Sequence, residues 1–244
     1  MLKFAFKKSL YPLLATSMAL GAFSVSTAQA QNIDYIDATF AIGYNGNMGN
    51  SQGKLKVQRQ QNTYDATFSA EHTLLDITQK ARFSMQQCSV TPSSYSNDAR
   101  PAIKSNVKEN INFNWGKKQA NYTKNSEENK SFSLAKSTLY DPLSFFFEAR
   151  CDLMAGKKRF TYPIIYKGNE RQHTYAVVGK EVVKTGLGDV EALIVERVRD
   201  SKSRQTRFFV APSLDYMLVK IEHRESALAK ASATLQSMNY KTSN

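Results

Sequence analysis

Three histidines, two cysteines, a handful of carboxylates and one arginine in an apolar stripe are the residues of this chain that could do chemistry. His72, His173 and His223 are far apart and in neither H-x-x-x-H nor H-E-x-x-H spacing, so they spell no zinc site. No G-x-S-x-G elbow is present, and Ser144 reads as a residue of a first helical turn more readily than as a nucleophile. Gly179 and the Gly186-Leu187-Gly188 stretch fall between strand signals and read as turns, not as a phosphate cradle. Asp141, Glu148, Glu191, Glu196 and Asp215 supply carboxylates, but a glycosidase pair is defined by a separation that sequence does not display. The reading is therefore non-catalytic: no catalytic residue, no metal and no cofactor is assigned, with an envelope hydrolase kept as the third alternative.

Cys88 and Cys151 are the only cysteines, and their spacing excludes a Cys-x-x-Cys redox centre. In an oxidising compartment such a pair is expected to form a disulfide. Closing a loop of that length restricts the unfolded chain by roughly 4 kcal/mol in the chain-entropy treatment. Cys151 lies in the clearest helix signal, Asp141 to Gly156. Asp141 suits the cap, Pro142 the N1 position and Gly156 the stop. At 100° per residue Leu143, Phe146, Phe147, Arg150, Cys151 and Met154 share one face, which leaves Phe145 pointing away to meet a partner or lipid. Arg150 in that stripe needs a carboxylate or several carbonyls, and Glu109, Glu191 and Glu196 are the candidate partners. It either fixes the helix on the rest of the fold or grips an anionic headgroup; the first is the preferred reading. Asp141, Pro142 and Arg150 thus form a helix clamp. Trp115, Phe145, Phe146 and Phe147 are the candidate ligand contacts.

The elements that must position these residues begin after an export signal. Lys3, Lys7 and Lys8 precede an apolar run from Leu10 to Val25, and Ala28-Gln29-Ala30 is a small-x-small site, so cleavage is expected after Ala30. Residues 31–244 then form a single domain, soluble in the periplasm, with thirty basic residues against twenty-one acids, a net charge of +9. That charge suits anionic envelope lipid or glycan, with peripheral membrane contact; export argues against nucleic acid.

Strand signals follow one another through that domain. Tyr35 to Tyr44, Lys54 to Gln60, Asn62 to Glu71 and Thr78 to Cys88 alternate as a meander, with Gly43 to Gly53 as a turn and His72 to Ile77 as a short helical turn. Val90 to Ser105 carries two prolines and reads as a surface loop, and polar Asn125 to Lys136 as another. Val107 to Trp115 alternates with Val107, Glu109, Ile111, Phe113 and Trp115 on one face, and Gln119 to Lys124 returns. Six strands are expected after the helix, Arg171 to Val178 and Glu181 to Thr185 among them, then a closing strand in Ser226 to Tyr240. The fold class is mainly β: a single curved antiparallel sheet or partly open β-barrel with one internal α-helix packed on it.

Several stretches occur together that resemble an exported bacterial family, domain-of-unknown-function family 3108. They are P-S-S-Y at Pro92 to Tyr95, I-N-F-N-W at Ile111 to Trp115 and D-P-L-S at Asp141 to Ser144 with its following Arg150. Y-P-I-I-Y-K-G at Tyr162 to Gly168, T-G-L-G-D-V-E-A-L-I-V-E-R at Thr185 to Arg197 and R-F-F-V-A-P-S-L-D-Y-M-L-V-K-I at Arg207 to Ile221 complete the set. The resemblance implies one β-rich envelope domain similar to the half-barrels of lipoprotein carriers, and it implies no catalytic residues. The expectation is a carrier-like or binding protein for an apolar or amphipathic envelope molecule. The alternative is an assembly factor that binds another envelope protein.

Overall fold

The computed structural model describes residues 32–200 and 203–243; the expected export signal and cleavage after Ala30 lie outside the described residues. Fourteen strands form one antiparallel sheet. They are β1 (Asn32–Tyr44), β2 (Asn47–Gln60), β3 (Thr63–Glu71), β4 (Leu75–Gln86), β5 (Ser89–Pro101), β6 (Val107–Asn114), β7 (Gln119–Lys124) and β8 (Glu128–Ser133) before the helix. After it come β9 (Arg159–Tyr166), β10 (Asn169–Thr185), β11 (Gly188–Arg197), β12 (Gln205–Ala211), β13 (Met217–Ser226) and β14 (Ala229–Ser243). The single α-helix among the described residues, α1, spans Phe145–Met154.

The spatial order is β8-β7-β6-β5-β4-β3-β2-β1-β14-β13-β12-β11-β10-β9. Each half is therefore a simple meander, and the two halves are joined where the first strand pairs with the last. That seam runs from Asn32↔Ser243 to Tyr44↔Ala231. It is reinforced by Asp34, which accepts from Ser243 Oγ at 2.6 Å and pairs with Arg59 of β2 at 3.2 Å.

The ends of the sheet, β8 and β9, do not pair with each other. They do approach. Lys130 Nζ of β8 donates to the Gly168 carbonyl in the β9–β10 turn at 3.1 Å, and a Cβ at Gly168 would lie 2.7 Å from the Tyr122 ring of β7. Instead of closing the barrel, the chain between β8 and β9 turns inward. Tyr140 pairs in parallel with Ile164 of β9, and the helix follows on the concave side. Phe147 of α1 lies 4.6 Å, centroid to centroid, from Phe83, which stacks on Tyr64 at 5.2 Å.

Five expectations need correction, each for a local reason. Val90 to Ser105 is not a loop but mostly β5: Pro101 ends the strand, and Pro92 sits where the pairing slips between Arg82 and Phe83, so its missing N–H is absorbed by a bulge. Asn125 to Lys136 contains β8, which is polar because an edge strand is wet and charge there discourages further pairing. Gly179 interrupts nothing, since β10 runs through it with a register shift beside Val177. The turn expected over Gly43 to Gly53 shrinks to Asn45-Gly46, with φ of 49° and 83°, the pair a type I′ hairpin demands. Residues 72–74 form a tight turn into β4, with Leu75 N–H donating to His72 at 2.9 Å, and not a helical one.

One turn depends on the absence of a side chain. Gly186 N–H donates to the Leu235 carbonyl at 2.9 Å, which brings the β10–β11 hairpin against β14. A Cβ at this position would stand 1.9 Å from the Gln236 carbonyl oxygen, a backbone atom that has no room to yield. Gly186→Ala is expected to lower stability by roughly 2–4 kcal/mol through this overpacking, read as the drop in denaturant midpoint at constant slope. A variant as stable as the wild type would show that the hairpin lies elsewhere.

Candidate functional site

The helix is tied outward in three directions, and its sequence supplies each tie. Cys151 is joined to Cys88 in the β4–β5 turn, with Sγ–Sγ 2.08 Å and Cα–Cα 5.7 Å. One turn earlier Glu148 accepts from the Val90 backbone N–H at 2.8 Å, against the same hairpin. Burial pushes the Glu148 carboxyl above its ordinary value, and that hydrogen bond pushes back. Asp152 accepts from the Tyr162 hydroxyl of β9 at 2.6 Å. Arg150, buried, reaches in a third direction and donates through Nε to the Asp215 carbonyl at 2.7 Å.

The expected partners of Arg150 are engaged elsewhere. Glu109 accepts from Tyr122 and Asn97, Glu191 pairs with Lys180, and Glu196 pairs with Arg207. What brings Asp215 to the arginine is the link between β12 and β13. There Asp215 and Tyr216 both adopt left-handed φ, 50° and 57°, after a 3-10 turn at Pro212–Leu214. Burial pulls the guanidinium below its ordinary value, and the Asp215 carboxylate counters.

The helix also begins later than its sequence signal. Asp141 is fully buried and accepts from Leu143 N–H and Ser144 N–H, both at 2.8 Å, and from Ser144 Oγ at 2.5 Å. It therefore caps the turn over Pro142 that leads in, while Ser144 occupies the helix's own cap position. The end is as expected. Gly156, at φ 79°, donates to Leu153, and Lys157 donates to Asp152, both at 2.9 Å, the paired bonds of a Schellman stop.

Phe145 does not point away from the fold. It is buried and stacks on Tyr175 of β10 at 5.3 Å, whereas Phe146 and Met154, placed on the inner stripe, are half-buried. The stripe argument assumes a solvent face. A helix enclosed by a curled sheet has none, and Phe145, Phe147, Ala149, Arg150, Cys151 and Leu153 are all buried around it.

Between α1 and the concave face of the sheet lies a cavity of about 340 Å³, at the low end of small-ligand pockets. Its wall is mostly apolar. Phe145, Phe146, Phe147 and Leu153 line it from the helix, Ile36 and Phe40 from β1, Val195 from β11, Phe208 from β12 and Ile221 from β13. Trp115 is not among the lining residues: its indole N–H donates to the Pro92 carbonyl at 2.7 Å and its ring stacks on Phe113. Of the four aromatic residues expected at a ligand, the structure gathers the three phenylalanines and leaves out the tryptophan.

Polar groups line the cavity beside the first helical turn, where sequence reasoning assigned nothing. His173 of β10, Arg197 at the end of β11, Arg199 just beyond it and Thr206 of β12 all contribute. His173 is only 4% exposed. Burial, together with Arg197, Arg199 and Arg171, depresses its ring to about 4, so it is neutral at physiological pH. The signal that could have found this set is the strand period. In L-I-V-E-R, Leu193, Val195 and Arg197 share a face, as do His173, Tyr175 and Val177 in H-T-Y-A-V.

Residues 39–234 match the family described as Protein of unknown function (DUF3108). The chain belongs to the DUF3108 family. Comparison with curated proteins finds no match by sequence. Among solved structures, the DUF3108 chain is similar to the beta-barrel-like protein of domain of unknown function DUF1849 from Brucella abortus. The TM-score is 0.55 at 8% identity, over 86% of this chain and 99% of that one. A likeness at that identity speaks for the fold, and it agrees with the partly open barrel expected of the DUF3108 sequence.

Two outcomes follow from the ties and the buried ring. Arg150→Met strands the Asp215 carbonyl and removes the third tie, and should cost about 2 kcal/mol in equilibrium unfolding. A fully stable variant would show that the other two ties suffice. For His173, the folded value lies below the unfolded one, so its stabilisation is complete above pH 6.5 and is lost as pH falls toward 4. Glu148 and Asp141, both raised by burial, act in the opposite sense, so the difference between proteins is the measurement. Between pH 7.5 and 4.5 the wild type should lose on the order of 2–3 kcal/mol more stability than His173→Gln. Equal losses would place the ring in water.

Proposed function

We propose that this protein is a non-catalytic, carrier-like binding protein of the periplasm, exported with cleavage after Ala30. In this reading it holds an apolar or amphipathic envelope molecule between α1 and the sheet, with no cofactor. The single observation that carries it is the mostly apolar cavity of about 340 Å³ beneath a helix that is fastened on three sides. A well-filled core of this size would leave no such space, since protein interiors pack with few voids larger than a water molecule. The partly open barrel gives an amphiphile a way in that a closed barrel denies. The basic surface suits approach to anionic membranes.

The assembly-factor reading would use the outer edge of β8. That edge is short and carries Lys130 paired with Glu128, features that discourage the addition of another strand, so it is the weaker reading.

Native mass spectrometry of protein purified from the periplasm tests the carrier reading. A stoichiometric adduct of lipid mass is expected on the wild type. On Ala233→Phe, which projects a ring into the cavity from β14, the adduct should be lost while the fold is retained. An adduct-free wild type that co-purifies with another envelope protein would replace this reading with the assembly factor.

A further inference from the structure

The concave face of β11 does not remain apolar to its end. Leu193 and Val195 are buried core residues, yet the next residue on that face is Arg197, and Arg199 lines the cavity beyond it. Arg197 pairs in register with Tyr175, on which Phe145 stacks, so the guanidinium stands beside the first turn of α1. Arg150 lies more than a turn further along the helix, engaged with Asp215. The cavity thus has a cationic end and an apolar body.

Among the described residues these cations meet no counter-charge. Arg59 and Arg207, also half-buried, face Asp34 at 3.2 Å and Glu196 at 2.9 Å. Among the described residues neither Arg197 nor Arg199 makes an ion pair. Arg199 Nη2 donates to Thr206 Oγ1 at 3.1 Å, and Thr206 in turn contacts His223 Nδ1 at 2.9 Å, which holds the arginine in place. Its Nε is buried with no acceptor among the described residues. His173 is 4% exposed, lines the same cavity, and its Nε2 likewise has no partner among the described residues. Arg171, exposed on the same face of β10, extends the positive row outward. The groups facing one another here are Arg171, His173, Arg197 and Arg199, with the tyrosines Tyr166 and Tyr175; among the described residues no carboxylate joins them.

We propose that Arg197, Arg199 and His173 bind the anionic head of a single-chain amphiphile, a carboxylate or a phosphate monoester, whose chain occupies the cavity. The proposal rests on the carrier reading above and adds the chemistry of the head. Guanidinium forks match the oxygens of either head, and an unpaired imidazole nitrogen completes the site. A set of cations kept together without an anion destabilises the empty protein, so the counter-charge belongs to what binds. The cavity's small volume selects one chain over a two-chain lipid.

Titration calorimetry of the delipidated protein with dodecanoate, dodecyl phosphate and uncharged dodecyl maltoside tests this. The wild type should bind both anions at one per chain. Arg197→Gln/Arg199→Gln should bind both at least about tenfold more weakly, the worth of a charge-assisted hydrogen bond. The same double variant should bind the maltoside as the wild type does and, without ligand, melt no lower, since like charges have been removed. Arg207→Gln, on the paired outer cation, should bind as the wild type. Whichever anion binds tighter assigns the head as carboxylate or phosphate. Anions that bind the double variant within about twofold of the wild type would overturn the head site and leave the carrier reading standing, a difference well inside the tenfold expected. Failure of all three amphiphiles to bind the wild type would overturn both. If the double variant does not fold, salt decides: anion affinity that falls with ionic strength while maltoside affinity does not supports the site, and equal insensitivity overturns it.

Discussion

A sheet of fourteen strands that curls without closing must fill its own concave side, and the helix inserted between β8 and β9 does so. Every other feature of the molecule depends on that insertion. Had β8 paired with β9, the barrel would have no edge at this point and no route for the connecting chain to turn inward. Leaving the edges unpaired has a cost in backbone hydrogen bonds, partly offset by the Tyr140–Ile164 bridge and by Lys130 donating to Gly168. The helix is short, ten residues, and would not persist alone in water. Its stability is tertiary, supplied by aromatic packing on Phe83 and Tyr175 and by ties to the β4–β5 hairpin, to β9 and to the β12–β13 turn.

The same arrangement explains why a cavity survives. The ties at Arg150, Cys151 and Asp152 lie in the second half of α1, with Glu148 just before them, and they hold it at a distance set by the sheet's curvature. Toward the first turn the contacts are aromatic faces, and large flat rings do not interdigitate as tightly as branched aliphatic side chains. The space therefore opens where the phenylalanines meet the strands, and it is there that the arginines and His173 line the wall. Among the described residues, His173 Nε2 and Arg199 Nε are buried without a partner and both belong to this wall, whereas Tyr64 Oη and Asn97 Oδ1 are isolated cases elsewhere.

Parts of this were legible in the chain and parts were not. The strand alternation of Val107 to Asn114, the stop at Gly156 and the pairing of the two cysteines follow from local rules of period, cap and oxidation. Pro92 misled because a bulge, a property of the paired strand, made room for it. Phe145 misled because the helical wheel assumes water on one side. Arg150 announced a need for a partner but not which one. Asp215 became that partner only through two consecutive left-handed residues, Asp215 and Tyr216, neither of them glycine.

What the sequence determined by itself is the class of the fold and the existence of the clamp. Alternation at period two, a single capped helix and one cysteine pair depend on neighbours along the chain, and such neighbours are written in order. What only the tertiary structure decided is the cavity, its three phenylalanines and its cationic end. His173, Arg197 and Arg199 come from two strands, and from the segment just past the second, that meet by register, and a cavity is the space between elements, which no residue encodes singly. The Asp141 to Gly156 stretch was visible as a clamp from its residue types; what it clamps around became visible only when the sheet was curled about it.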